Sequence, residues 1–291
     1  MSPTRPPRIG IFDSGIGGLS VLRALRLCLP AAEVSYIADT RYTPWGDRPR
    51  AWVIERSLCL SDWLIRAGTD LVLVACNTAT TQAIEAMRAR WPSQRFVGVE
   101  PGIKPAVAHS RNGRVAVMGT SATLVSARFD ALVDAHATNA QLLRLPCPGL
   151  VEAIEAGCLG ELAVADAADA GINAILDRIA KAVLAADADT VVLACTHYPL
   201  ISHALAQRLG PGVVLVDTAE AVVRQVVRLL DDPGIAPSQR LLAAALPRLL
   251  STGDPAILLR AAQCWIDPEA RVEWLGLPGP KAGPPSLATQ S

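Results

Sequence analysis

The sequence predicts a doubly wound α/β fold built from two similar units with mainly parallel sheets. Three observations carry this expectation. Short apolar, β-branched runs alternate with amphipathic stretches along the chain. The apolar runs are nearly continuous, as in parallel strands covered on both faces. Finally, two strand-plus-turn segments recur. Residues 8–22 (RIGIFDSGIGGLSVL) resemble 114–127 (RVAVMGTSATLVSA) at an offset of 106, and 71–84 (LVLVACNTATTQAI) resemble 190–205 (TVVLACTHYPLISHAL) at an offset of 119.

The expected strands are 8–12, 33–38, 70–75, 95–99, 114–118, 190–194 and 213–216. The helical patterns between them are 19–29, 48–67, 78–90, 122–136, 161–186 and 218–231, and the later stretches 238–251 and 254–266 also read as helical. The last segment, 278–291 (PGPKAGPPSLATQS), is rich in Pro and Gly without an apolar period and is expected to be a disordered tail.

Composition narrows the function. A chain of 291 residues is long enough for one large or two ordinary domains and needs no disulfide or metal staple. Lys plus Arg (27) balance Asp plus Glu (27), which argues against broad binding to nucleic acid or to an anionic membrane. No apolar run reaches the length of a membrane span, and the start, MSPTRPPR, has no apolar signal core, so a cytoplasmic location is expected. Seven cysteines occur without a CxxC or a zinc-like Cys/His spacing, and no metal site is expected. Cys28, Cys59, Cys158 and Cys264 read as core or surface thiols, and His109, His136 and His203 as structural.

In open α/β sheets, ligands bind beyond the carboxyl ends of the strands. That rule selects Asp13 and Ser14, Asp39 and Thr40, Cys76-Asn77-Thr78, Glu100, Gly119-Thr120 and Cys195-Thr196-His197. The Gly15-Ile16-Gly17-Gly18 turn suits an anion at a helix N-terminus, but Ser20 stands where a dinucleotide fingerprint needs Gly, and Asp13 would repel a pyrophosphate. Capping and turn roles for Ser14 and Asp13 remain open alternatives. Cys76 and Cys195 each end a strand and precede a helix, whose N-terminal dipole favours thiolate; the alternative is two small apolar residues closing a sheet. Asn77, Thr78 and Thr196 can donate to a ligand carboxylate or cap their helices. His197, two residues after Cys195, can hold or move a proton. Glu152 reads by itself as a first-turn acid favoured by the helix dipole.

FDSGIGGLSVL (12–22), ACNTAT (75–80) and ACTHYPLI (194–201), in that order, resemble the cofactor-independent aspartate/glutamate racemase superfamily. VEPGIKPAV (99–107), VMGTSATLVSARF (117–129), CPGLVEAIEAG (147–157) and VDTAEAVV (216–223) support the likeness, which covers about residues 8–265. The resemblance implies two domains with the active site in the cleft between them, the second inserted into the first: 1–105 plus 215–277, and 106–214. It implies that Cys76 and Cys195 are the acid/base pair, assisted by Asp13, His197 and Glu152. Substrate would be held by Asp13, Ser14, Pro44, Trp45, Gly46, Asn77, Thr78, Thr120, Thr123, Thr196 and His197. It further implies conversion of L-glutamate to D-glutamate for peptidoglycan synthesis, with no cofactor, in a chain able to form a homodimer. Related activities on the same scaffold are racemisation of aspartate or hydantoins, and a non-catalytic regulator is the alternative of another class. The chain departs from the family's Asp-x-x-Arg-x-Pro-Tyr-Gly at Tyr42, in place of Arg, and at Trp45, in place of Tyr.

Overall fold

A computed structural model describes residues 5–157, 170–230 and 246–280. In chain order its elements are β1 (Arg8–Asp13), α1 (Leu19–Cys28), β2 (Glu33–Ala38), α2 (Arg50–Arg66), β3 (Leu71–Val74), α3 (Asn77–Arg90), β4 (Arg95–Gly98), α4 (Ile103–His109), β5 (Arg114–Gly119), α5 (Ser121–Leu124), α6 (Ala127–His136), β6 (Gln141–Pro146), α7 (Leu150–Gly157), α8 (Ala170–Ala185), β7 (Thr190–Ala194), α9 (Ser202–Leu209), β8 (Val214–Val216), α10 (Ala219–Leu230), β9 (Arg248–Ser251), α11 (Pro255–Trp265) and β10 (Val272–Trp274).

The strands form two sheets, ordered β10-β9-β2-β1-β3-β4 and β6-β5-β7-β8, with every pairing parallel. The repeat seen in the sequence therefore has a topological counterpart. The order β2-β1-β3-β4 in the first sheet matches β6-β5-β7-β8 in the second, and β9 and β10 extend the first alone.

Both sheets bury both faces. In the first, Ile9, Ile11, Leu71 and Leu73 point to the side covered by α1, α10 and α11, whereas Phe12, Val72 and Val74 point to the side covered by α2 and α3. In the second, Ala116, Met118, Val191 and Leu193 face α7, α8 and α9, and Val115, Val117, Val192 and Ala194 face α4 and α6. Period-two alternation of apolar side chains onto two covered faces is why these strands read as unbroken apolar runs.

The crossings between the sheets fall a little off the expected boundaries. α4 packs on α6, β5, β7 and β8, so the first crossing lies before Ile103, and β8 belongs wholly to the second sheet, so the return lies after Val216. The stretch expected as one helix over 122–136 is two. Ser126 Oγ accepts from the Phe129 amide, capping α6, while also donating to the Thr123 carbonyl, so the first helix ends there. Residues 248–251, expected as helix, are strand β9, buried beside β2. The edge strands β6 and β10 carried no expectation: they are three to six residues long and mostly exposed or half-buried. The expectations over 161–169, 238–245 and Cys158 lie outside the described residues. Of the tail, Pro278 already docks onto the body, accepting a hydrogen bond from Arg56 at 2.7 Å; 281–291 lie outside the described residues.

Leu73, fully buried between β1 and β4, should lose about 2–5 kcal/mol of stability as Leu73→Ala. Leu27→Ala, at a side chain 79% exposed, should change stability by less than about 0.5 kcal/mol. Urea unfolding of the two variants checks the contrast; equal effects would contradict this packing.

Candidate active site

The carboxyl ends of β1, β3, β5 and β7 converge, and the turns that leave them line one small enclosed cavity of about 10 Å³. Ser14, Pro44, Trp45, Gly46, Cys76, Asn77, Thr78, Thr120, Val151, Cys195, Thr196 and His197 surround it. Such a space admits about one water. A larger open groove of about 930 Å³ runs over β9, α11 and β10, but it contains no thiol and none of these groups.

Cys76 leaves β3 in extended backbone and caps α3, its sulfur accepting from the Ala79 amide at 3.5 Å. Its thiol donates to Ser14 Oγ at 3.6 Å. Cys195 leaves β7 into the turn Thr196-His197 and the 3-10 helix Tyr198–Ile201. Its sulfur lies 3.8 Å from His197 Nδ1. Both cysteines are buried. Of the other described thiols, Cys28 and Cys264 are exposed and Cys59 is half-buried, while Cys147 is buried and pushed up to about 12 by burial.

Asp13, fully buried, sits behind the cavity. It accepts from the Ser14 amide at 2.7 Å, the Gly18 amide at 2.5 Å and Thr196 Oγ1 at 3.2 Å, the last across the domains. Burial raises its pKa above the ordinary carboxylate value, opposed by the charge of His197 and by these donors. The glycine turn therefore spends its amides on carboxylates, since Ile16 N donates to Glu155 at 3.1 Å. This is the physical reason why the turn is no phosphate cradle. Gly17 is needed for another purpose: an added Cβ would lie 2.5 Å from His197 Nδ1.

The acid at His197 is not Glu152. Glu152 is exposed on α7, whereas Glu155, one turn on, accepts from His197 Nε2 at 2.8 Å, with its side chain 8% exposed. Glu155 also takes Thr43 Oγ1 at 3.1 Å, so one carboxylate joins α7 to the β1 turn and to the loop after β2. A sequence signal existed: Glu155 is four residues after buried Val151, hence on the inward face of α7, while Glu152 is not.

Burial pulls the His197 pKa down, but hydrogen bonds to Cys195 and Glu155 outweigh it and hold the ring protonated well above the ordinary value of 6.5. Burial, then the Asp13 carboxylate, pushes the Cys76 thiol far up. The two thiols thus sit in opposite fields: one faces an imidazolium, the other a carboxylate.

A threonine cluster closes the cleft from the other side. Thr78 Oγ1 lies 3.0 Å from Thr120 Oγ1 and 3.5 Å from Thr123 Oγ1, and Thr120 caps α5 by accepting from the Thr123 amide. Thr123 stands behind Thr120 rather than on the cavity wall. Asn77 Oδ1 and Trp45 Nε1 are buried without a hydrogen-bond partner, leaving an acceptor and a donor unpaired on residues of this wall. Among the described residues, no group of three or more His, Cys, Asp or Glu side chains is placed to hold a metal ion.

A family model described as Asp/Glu/Hydantoin racemase matches residues 23–226. The glutamate racemase of Pseudomonas paraeruginosa is 41% identical over 247 residues, covering 85% of this chain and 89% of its own. That of Herpetosiphon aurantiacus is 42% identical over 256 residues, covering 88% and 96%. The Escherichia coli glutamate racemase, solved in complex with L-glutamate and the activator UDP-MurNAc-Ala, has a TM-score of 0.79 at 31% identity, covering 94% of this chain and all of its own.

His197 should remain protonated at neutral pH, a condition that imidazole NMR shifts report directly. Because its folded pKa is raised, its contribution to stability is complete below pH 6.5 and fades as pH rises through the higher folded value. Glu155→Gln should lower the titration midpoint of the ring and Glu152→Gln should leave it in place. A ring already neutral at pH 7 would contradict this assignment.

Proposed function

The chain belongs to the Asp/Glu/hydantoin racemase family, and we propose that it interconverts L- and D-glutamate through two thiols acting on opposite faces of the α-carbon. Relatives about 40% identical over most of the chain give the activity: glutamate racemisation, an isomerisation. The observation that carries the mechanism is the opposite electrostatic setting of Cys76 and Cys195 around one cavity.

Inverting a stereocentre requires removing a proton from one face and returning one to the other, so the two groups must start in opposite protonation states. The His197 imidazolium, held by Glu155, faces the Cys195 sulfur and complements a negative charge there. Cys76, buried beside Asp13, begins as the thiol. With L-glutamate in the cleft, Cys195 takes the α-proton and Cys76 donates its own to the far face. D-glutamate runs the same steps in reverse, with Cys76 as the base.

Charge that develops on the α-carbon spreads into the substrate carboxylate. Donors at Ser14, Asn77, Thr78 and Thr196 stabilise it within the cleft. The unpaired Asn77 Oδ1 suits the substrate ammonium. The reaction uses the protein's own thiols and calls for no cofactor. The same reading puts the enzyme in the cytoplasm, supplying D-glutamate for peptidoglycan synthesis, and includes the homodimer expected above. Among the described residues, no helix is long and apolar enough to cross a membrane.

Purified protein, dialysed against a chelator, should convert L-glutamate to a racemic mixture, followed by the decay of its circular dichroism. Cys76→Ser and Cys195→Ser should each slow this by at least about 10²-fold, the scale of a lost acid/base group. Undiminished racemisation by either variant would remove that thiol from the mechanism, and turnover of aspartate instead of glutamate would change the substrate.

A further inference from the structure

The loop between β2 and α2 brings Pro44, Trp45 and Gly46 to the cavity, yet what holds the loop lies behind it. Arg56 of α2 is fully buried. Its Nε and Nη2 donate to Asp39 at 2.9 and 2.6 Å, and its Nη1 donates to the Pro278 carbonyl at 2.7 Å. The guanidinium also lies over the Tyr42 ring, 4.8 Å from its centre. Tyr42 meets Trp52 edge-on, and Trp52 meets Trp45 edge-on, each pair with centroids 5.6 Å apart.

We propose that Arg56, closed from below by the C-terminal segment 275–279, is a positioning residue that sets the substrate-side face of the 40–46 loop. The inference rests on the proposed glutamate-binding role of that loop. Two paths lead from Arg56 to the site. One is the aromatic row Tyr42, Trp52, Trp45. The other is the backbone of Asp39, whose carbonyl accepts from the Tyr42 amide and whose amide donates to the Asp13 carbonyl, both at 3.0 Å. Asp39 also accepts from Thr252 Oγ1 at 2.7 Å, so its carboxylate is fully engaged.

A buried ion pair adds little net stability over an apolar pair of the same size; what it enforces is geometry. A planar fork can satisfy Asp39 twice, reach a carbonyl and still sit over a ring. The C-terminal segment supplies that carbonyl and packs tightly: Leu275 and Leu277 join the apolar cluster around Trp45, and a Cβ on Gly279 would meet Tyr42 Oη at 2.6 Å. Tyr42, where the family pattern has Arg, provides the face on which Arg56 lies. Arg41 of the loop itself also lies over this ring, at 5.7 Å from its centre.

The test uses wild type, Arg56→Lys and a chain ending at Gly276, which keeps β10 and the Arg56–Asp39 pair but removes the Pro278 carbonyl. Each is assayed with L-glutamate well below its own melting temperature. Arg56→Lys should raise KM at least about fivefold and the shortened chain about threefold, with kcat within about threefold of wild type for both. A role confined to stability would lower Tm and leave KM alone. In parallel, amide hydrogen exchange of a peptide spanning 39–47 should quicken in both variants, while a peptide over β3 should not. Unchanged KM together with unchanged exchange at 39–47 in the shortened chain overturns the proposal, even if Arg56→Lys fails to fold. Absence of glutamate turnover in wild type would instead overturn the proposed function, and the exchange experiment would still decide the role of Arg56.

Discussion

Everything at the cleft depends on two carboxylates that are buried at the junction of the domains. Asp13 ends the central strand of the first sheet and accepts from Thr196 of the second. Glu155 leaves the second domain and accepts from the Ile16 amide and Thr43 of the first. A buried carboxylate without donors would cost several kcal/mol, and here each draws part of its donors from the opposing sheet's turns, Thr196 for Asp13 and Ile16 and Thr43 for Glu155. The same bonds that close the cleft therefore orient the turns bearing Cys76 and Cys195.

Charge follows from this geometry. The cleft sets a charged neighbour of opposite sign beside each thiol, Asp13 by Cys76 and His197 by Cys195. A symmetric fold repeat, β2-β1-β3-β4 against β6-β5-β7-β8, thus sets its two buried thiols in unlike surroundings. A two-base inversion needs one group protonated and the other not at the start of each turnover, and the states exchange when the reaction runs in reverse.

Much of this was legible in the chain. β2 and β7 match the expected residues throughout because both are apolar runs bounded by polar turns. The strand-end rule found Asp13, Ser14, the Cys76 turn and the Cys195 turn from sequence alone, since parallel sheets deliver their C-terminal turns to one side. The misses have separate causes. β9 and β10 are three or four residues long, too short for a period of two to be told from helix. Glu152, the first acid of α7, is exposed, and the acid that meets His197 is Glu155, which shares the inward face of that helix with Val151. Arg56 lies inside a helix far from any strand end, and its partners Asp39 and Pro278 are 17 and 222 residues away; no local pattern marks such a group.

The most direct test of the two-thiol account is hydrogen isotope incorporation in deuterated water. Starting from L-glutamate, early product D-glutamate should carry deuterium at the α-carbon, because the donating thiol has exchanged with solvent. Early residual L-glutamate should carry almost none, because the abstracting and donating groups lie on opposite faces. Deuterium appearing equally early in both enantiomers would mean one base serving both faces, and would contradict the account.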